Sequence, residues 1–240
     1  MTEIIRSKDN ALAKLIRKLG SKKYRKAEKK FVIESRKLVE EAISSNASIY
    51  CLVLREGSEA FSRNIDTKYF TKELFDSISE MESPDGYMAV VNMEEAKASK
   101  GKKALLLDHI QDPGNLGTIV RSAEAFSFKD IYLYECVDLY NLKTLRASMG
   151  SAFRVNVMAC DEADLIEIKK DYRLYGAFMD GKDYRESDFS DRTCLVIGNE
   201  GHGISKKIED IIDERVSIKM DGKIESLNAA ISASILMSQI

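Results

Sequence analysis

The stretch ALLLDHIQDPGNLGTIVRSAEAF (104–126) decides the fold. It opens on an apolar run, passes through a turn built on Asp112-Pro113-Gly114, and enters a helical pattern. Leu116, Ile119, Val120 and Ala123 recur at i, i+3, i+4 and i+7, the buried stripe of an amphipathic helix. Strand, glycine-bearing turn and helix make one unit of a parallel α/β sheet. The unit repeats downstream. Strands are expected at IYLYEC (131–136), RLYGAFM (173–179), TCLVIGN (193–199) and RVSIKM (215–220), with helices over 115–127, 141–149, 161–170, 204–212 and 226–239. These strands are short and almost continuously apolar, as they are when helices cover both faces of a sheet.

The first part of the chain is organised differently. Ala11, Leu15 and Leu19 form an apolar stripe on a basic helix, and SRKLVEEAISSN (35–46) has helical spacing. FVIES (31–35), SIYCLVL (48–54) and YMAVVNM (87–93) are strand-like, whereas EEAKASKGKK (94–103) is polar and small. The expected organisation is an N-terminal domain over 1–96, a linker over 97–103 and a second domain over 104–240.

No apolar run approaches the ~18 residues of a membrane span, and no signal-peptide pattern opens the chain. The four cysteines form no CxxC pair and there are two histidines, so no structural metal is expected and a reducing, cytoplasmic compartment fits. Charge is uneven. Residues 1–30 hold eleven Lys or Arg against three acids, a balance of +8 in a chain whose formal net charge is −2. The densest part is SKKYRKAEKK (21–30), where Lys22, Lys23, Tyr24, Arg25 and Lys26 offer cations and one aromatic to a polyanion such as RNA. A solvated charged face is the competing reading.

Ligands of an open parallel sheet collect outside the carboxyl ends of its strands. Three loops there are rich in small and polar residues: the one already quoted, VIGNEGHGIS (196–205), and IKMDGKIESLNAA (218–230). The first is not a nucleotide-phosphate loop of standard type. Gly114 and Gly117 have two residues between them and no Lys follows, so both the P-loop and the G-x-G-x-x-G patterns fail. Arg121 projects away from the buried stripe and could clamp a phosphate, or be a plain surface arginine, with Gly117 one turn earlier leaving it room. Glu200 is either a catalytic carboxylate or a turn acid. His202 has only glycines beside it. Ser226 is a natural helix N-cap, and Asn228 either donates to a neighbour or belongs to the cap.

Taken in order, DPGNLGTIVRSAEAF, IGNEGHGIS and SIKMDGKIESLNAAISA resemble the three motifs of the SpoU/TrmH family of RNA ribose 2′-O-methyltransferases, in the SPOUT superfamily. VDLYNLKTLRASMGSAFRV (137–155) resembles that family too. The resemblance implies a C-terminal parallel-sheet domain threaded as a deep trefoil knot. It also implies S-adenosyl-L-methionine as cofactor, held near Met179, Gly198, Ile218, Met220 and Leu227, and a homodimer with its active site near the interface. Asn115, Arg121, Glu200, Ser226 and Asn228 match the family's active-site positions. A guanidinium stays protonated, so Arg121 is expected to clamp phosphate and ribose, with Glu200 orienting Arg121 or Asn228. The basic N-terminal segment resembles a substrate-binding domain similar to kink-turn-binding ribosomal proteins, although Ser35 stands where Gly is usual. Lys219, Leu142 and Asn156 replace common prolines. Ribosomal RNA is the expected substrate. A tRNA-directed enzyme and a non-catalytic RNA-binding or ribosome-assembly protein of the same fold are the rivals.

Overall fold

The structure is a computed structural model and describes residues 4–62, 65–222, 224 and 226–240. The first part contains β1 (Ile4–Ile5), α1 (Ala11–Leu19), α2 (Lys22–Glu28), β2 (Lys30–Glu34), α3 (Arg36–Ser44), β3 (Ile49–Arg55), β4 (Thr67–Phe70), α4 (Lys72–Asp76) and β5 (Tyr87–Asn92). Its strands form a mixed sheet in the order β1-β4-β3-β5-β2, with β5 antiparallel to both β3 and β2. The second part contains β6 (Lys103–Asp108), α5 (Pro113–Ala125), β7 (Asp130–Tyr134), α6 (Leu142–Ser148), β8 (Asn156–Cys160), α7 (Glu162–Asp171), β9 (Arg173–Asp183), β10 (Thr193–Ile197), α8 (Lys206–Glu209), β11 (Glu214–Ser217) and α9 (Ala229–Met237). Its six strands are all parallel, in the order β11-β9-β10-β6-β7-β8. No helix among the described residues is long and apolar enough to cross a membrane.

The alternation along β6 explains the layering. Leu105 and Leu107 face one side of the sheet, with Leu116, Ile119 and Val120 of α5 and Ala233 and Leu236 of α9. Ala104 and Leu106 face the other, with Leu165 and Ile168 of α7 and Ile208 of α8. The expected linker is anchored. The fully buried Asp130 carboxylate accepts from the backbone N–H groups of Ser99 and Lys100, each at 2.8 Å, from the Ser99 hydroxyl at 3.0 Å and from Asn156 Nδ2 at 2.8 Å. Asn156, one of the residues that replace a usual proline, also donates its backbone N–H to Lys129 O at 2.8 Å. A proline could make neither bond.

Three expectations are corrected here. DPGN is the helix start, since Asp112 caps α5 and Pro113 occupies the first turn, where a missing N–H costs nothing. Gly117 serves helix packing, since a Cβ there would lie 2.4 Å from Thr144 O and 2.6 Å from Ala147 Cβ, on α6. Arg25 is no surface cation. It is 6% exposed, donates from Nη1 to Leu19 O and Gly20 O, each at 2.8 Å, and pairs with Asp138 Oδ2 at 2.6 Å. Lys22, Lys23, Tyr24 and Lys26 are exposed.

The Arg25–Asp138 pair joins the two parts of the chain. Arg154 makes a second link, to Glu41 at 2.7 Å on α3 and to Glu124 on α5. Leu145 of α6 packs into the cluster of Phe31, Leu38 and Tyr87, and the Phe31 and Tyr140 rings lie 4.6 Å apart. The segment between β7 and β8 therefore presents one face to α5 and the other to the N-terminal sheet.

Ser35 caps α3 through Leu38 N–H at 3.3 Å with φ 96°, a backbone conformation that suits glycine. Strain of this kind costs of order 1–3 kcal/mol, while exchanging a Ser cap for Gly loses only a few tenths. Ser35→Gly is therefore expected to stabilise the protein by about 1 kcal/mol, read by chemical denaturation. A destabilised variant would contradict the left-handed backbone at this position.

Candidate active site

β10 ends at Ile197, and Gly198 begins a tight return in which Asn199 and Gly203 exchange backbone hydrogen bonds of 3.0 and 2.9 Å. A Cβ on Gly198 would lie 2.3–2.4 Å from the backbone of Gly203 and Ile204, so only glycine admits this fold-back. Gly203 takes φ 70°. The return holds Glu200 beyond the carboxyl end of the sheet.

α5 and α9 supply the other side. α9 starts at Ala229, and its N-cap is Asn228, whose Oδ1 accepts from Ala230 N–H at 2.9 Å and Ile231 N–H at 3.3 Å. Ser226, the expected cap, lies before the helix and lines the cavity described below. Asn228 Nδ2 donates to Asn115 Oδ1 at 3.0 Å, and Asn115 Nδ2 donates to Glu200 Oε1. One amide on α5 thus ties the second loop to the third. All bonds of this relay point the same way, from the positive end of α9 through two amides to a carboxylate, so each polarises the next. Asn115 is itself fixed by Asp112, which accepts its backbone N–H at 2.8 Å. That bond, with Lys143 at 3.3 Å, holds the Asp112 carboxyl below its ordinary value. Glu200 bonds Asn115, and not the Arg121 or Asn228 expected from the sequence.

A cavity of about 360 Å³ opens beside Glu200, within the range of small-molecule sites. Met179, Gly198, Ile218, Met220 and Leu227 all line it, with Ile197, Val216 and Leu236. Met179 arrives by an irregularity. β11 advances from Arg215 to Val216 while its partner jumps from Gly176 to Lys182, so 177–181 bulge outward and leave Met179 65% exposed. Glu200 is the one charged side chain among the described residues lining the cavity. Among the described residues the wall joins this carboxylate to apolar side chains, glycine backbone and the uncharged polar Asn199, Ser226 and Ser232, which suits a cationic ligand with a flat apolar part. S-adenosylmethionine, with its sulfonium and adenine, has that character, and the residues present fit it.

Arg121 does not join this cluster. It lies on the exposed side of α5 and lines a separate open cavity with Lys37, Glu41, Glu124, Met149 and Arg154. Among the described residues its side chain has no hydrogen-bond or ion-pair partner. Among the described residues His202 donates its backbone N–H to Asn199 Oδ1, at 3.2 Å, and its ring has no partner. Asp108 and His109 were not singled out from the sequence, yet they hold both ends of the loop bearing Glu200. A His directly after an Asp at a strand end was the available signal.

The SpoU rRNA methylase family matches residues 102–238, more than half of the chain. The chain belongs to the SpoU rRNA methylase family. An MRM3-like substrate binding domain matches residues 10–89 of this SpoU methylase. Among curated relatives it is 33% identical to the 23S rRNA (guanosine(2553)-2′-O)-methyltransferase RlmP of Bacillus subtilis, over 97% of each chain. Among solved structures it resembles an RNA methyltransferase of the TrmH family from Porphyromonas gingivalis, with TM-score 0.85, 31% identity and 96% and 97% of the two chains covered. It also resembles an AdoMet-bound rRNA methyltransferase from Sinorhizobium meliloti, with TM-score 0.88, 27% identity and 99% and 97% coverage.

Proposed function

We propose that this SpoU methylase transfers a methyl group from S-adenosylmethionine to a ribose 2′-hydroxyl of ribosomal RNA, and works in the cytoplasm. The observation that carries the reading is the single amide of Asn115 joining Glu200 to Asn228 beside a largely apolar cavity edged by the Glu200 carboxylate. The relation to RlmP supports the substrate class. When bound, the cofactor supplies an electrophilic methyl on a sulfonium. Met179, Gly198, Ile218, Met220 and Leu227 would hold it, and Glu200 would face its positive charge. Asn115 fixes Glu200, and Ser226 with Asn228 positions the acceptor ribose. Arg121 clamps the adjoining RNA phosphate and stabilises charge growing on the 2′-oxygen as the hydroxyl proton passes to that phosphate or to water. Lys22, Lys23, Tyr24 and Lys26 meet the RNA backbone on the exposed face of α2. Incubating labelled cofactor with ribosomal RNA from cells lacking the protein tests the reading. Label in a 2′-O-methyl nucleotide is expected. Label in tRNA alone, or a folded, cofactor-binding protein that labels no RNA, would overturn it.

The protein works as a homodimer in this reading, and Arg121 serves the partner's site. Two observations support this. Arg121 faces away from the Asn115 cluster, and α9, AAISASILM, is apolar almost all round yet leaves Ile231 53% exposed. Mixing inactive Arg121→Ala and Asn115→Ala chains is then expected to restore about a quarter of wild-type activity, because half the dimers regain one intact site of two. No recovery, with mixed dimers demonstrated, would place the whole site in one chain.

A further inference from the structure

The end of β6 holds a group of charges that the methyl-transfer reading leaves unused. Asp108 is fully buried. Its Oδ1 lies 2.5 Å from His109 Nδ1, and its Oδ2 accepts from Ser205 N–H at 2.6 Å. The other ring nitrogen of His109, Nε2, lies 2.9 Å from Glu135 Oε2. The His109 backbone has φ 57°, and its carbonyl accepts from Asn199 Nδ2 at 2.9 Å. Asn199 Oδ1 in turn accepts from Gly201 N–H at 2.8 Å and His202 N–H at 3.2 Å. Residues 108 and 109 therefore grip the loop that carries Glu200 at both ends, Asn199 on one side and Ser205 on the other.

We propose that Asp108 and His109 are positioning residues for the 199–205 loop, and that the imidazolium form of His109 is what holds it in place. The proposal rests on the reading of the adjoining cavity as the cofactor site. A neutral imidazole has one N–H, yet both ring nitrogens face carboxylates, so only the charged ring donates to both. The other neighbours do not replace it. Cys136 and Cys160 are neutral thiols, each pushed up to about 12 by burial. Lys207 is engaged with Glu162 and Tyr134. Bonding to Asp108, then the charges of Asp108 and Glu135, raises the His109 pKa above its ordinary value. The hold is therefore complete below the ordinary histidine pKa and is lost as pH rises through the raised one. Above it, one of the two carboxylates faces an imidazole lone pair, and the repulsion displaces the ring and the Asp108 side chain packed on it, which moves the group that holds Ser205.

The test uses the full chain without cofactor, followed by nuclear magnetic resonance across pH. The His109 ring and the Gly201 and Ser205 amides are expected to titrate together, with one midpoint above about 6.5. In His109→Asn, a residue that tolerates positive φ and does not titrate, that midpoint is expected to vanish from the loop amides. Glu135→Gln, an exposed change, is expected to lower it. Calorimetry with S-adenosylmethionine gives a second readout. Across the same range the wild type is expected to lose about tenfold more affinity than His109→Asn, the scale of one charge-assisted hydrogen bond. Loop amides that ignore the His109 titration, or that keep their midpoint in His109→Asn, would overturn the proposal. Should the cofactor bind at no pH, the methyltransferase reading fails, and the amide titration still decides whether the loop follows His109.

Discussion

Asn115→Ala is expected to lower single-turnover methyl transfer about 100-fold or more while changing cofactor affinity less than about threefold. The asymmetry follows from where Asn115 sits. Its side chain bonds Glu200 and Asn228, and neither it nor Asn228 lines the cavity that would hold the cofactor. Removing it unties Asn228 from Glu200, which the Asn199–Gly203 return still holds at the cavity, and leaves Asn228 capping α9 through Ala230 and Ile231. The helix survives, the pocket survives, and the register between them is lost. A misplacement of an ångström at reacting groups is enough for a loss of this order. Asn115→Asp is the sharper variant, since it puts a carboxylate against Glu200 and still presents an acceptor to Asn228. Cofactor affinity that falls in step with turnover would mean that Asn115 shapes the pocket instead.

Arg25→Ala is expected to destabilise the protein by about 3 kcal/mol, the cost of leaving one partner of a buried ion pair alone. Three groups lose a donor at once: Asp138, whose side chain is 16% exposed and keeps only the Tyr140 N–H at 3.3 Å, and the carbonyls of Leu19 and Gly20. Denaturant unfolding reads the effect. Alanine at Lys22, Lys23 or Lys26 is expected to leave stability almost unchanged and to lower the salt dependence of RNA binding by roughly one ion each. An Arg25→Ala protein of wild-type stability with weakened RNA binding would return Arg25 to the RNA surface.

These two residues mark what the sequence could and could not disclose. The six-stranded sheet was legible because β6, β7, β10 and the first half of β9 are short, mostly apolar runs. β8 was missed because it is an edge strand, only partly buried along its length. α2 was hidden inside the basic run KKYRKAE, which has no apolar stripe, and β4 and α4 are too short to show a period. The three loops were found from their small and polar residues, but their wiring was not. Asn115, Glu200 and Asn228 are 85 and 113 residues apart along the chain, and nothing local says that one amide joins them. Arg25 misled for the same reason. Its identity and its basic neighbours fit an RNA surface, and its partner Asp138 lies 113 residues away. Ser226 and Asn228 are both good capping residues, and only the helix start at Ala229 separates them. The conformation of His109 was likewise invisible, because a positive φ on a non-glycine residue follows from tertiary contacts.

The most direct measurement is a map of ribose 2′-O-methylation across ribosomal RNA in three strains: one lacking the gene, one complemented with the wild type, and one complemented with Arg121→Ala at equal protein level. One site is expected to lose its methyl group in the first strain, regain it in the second and stay unmethylated in the third. A map identical in all three strains would contradict the proposed function.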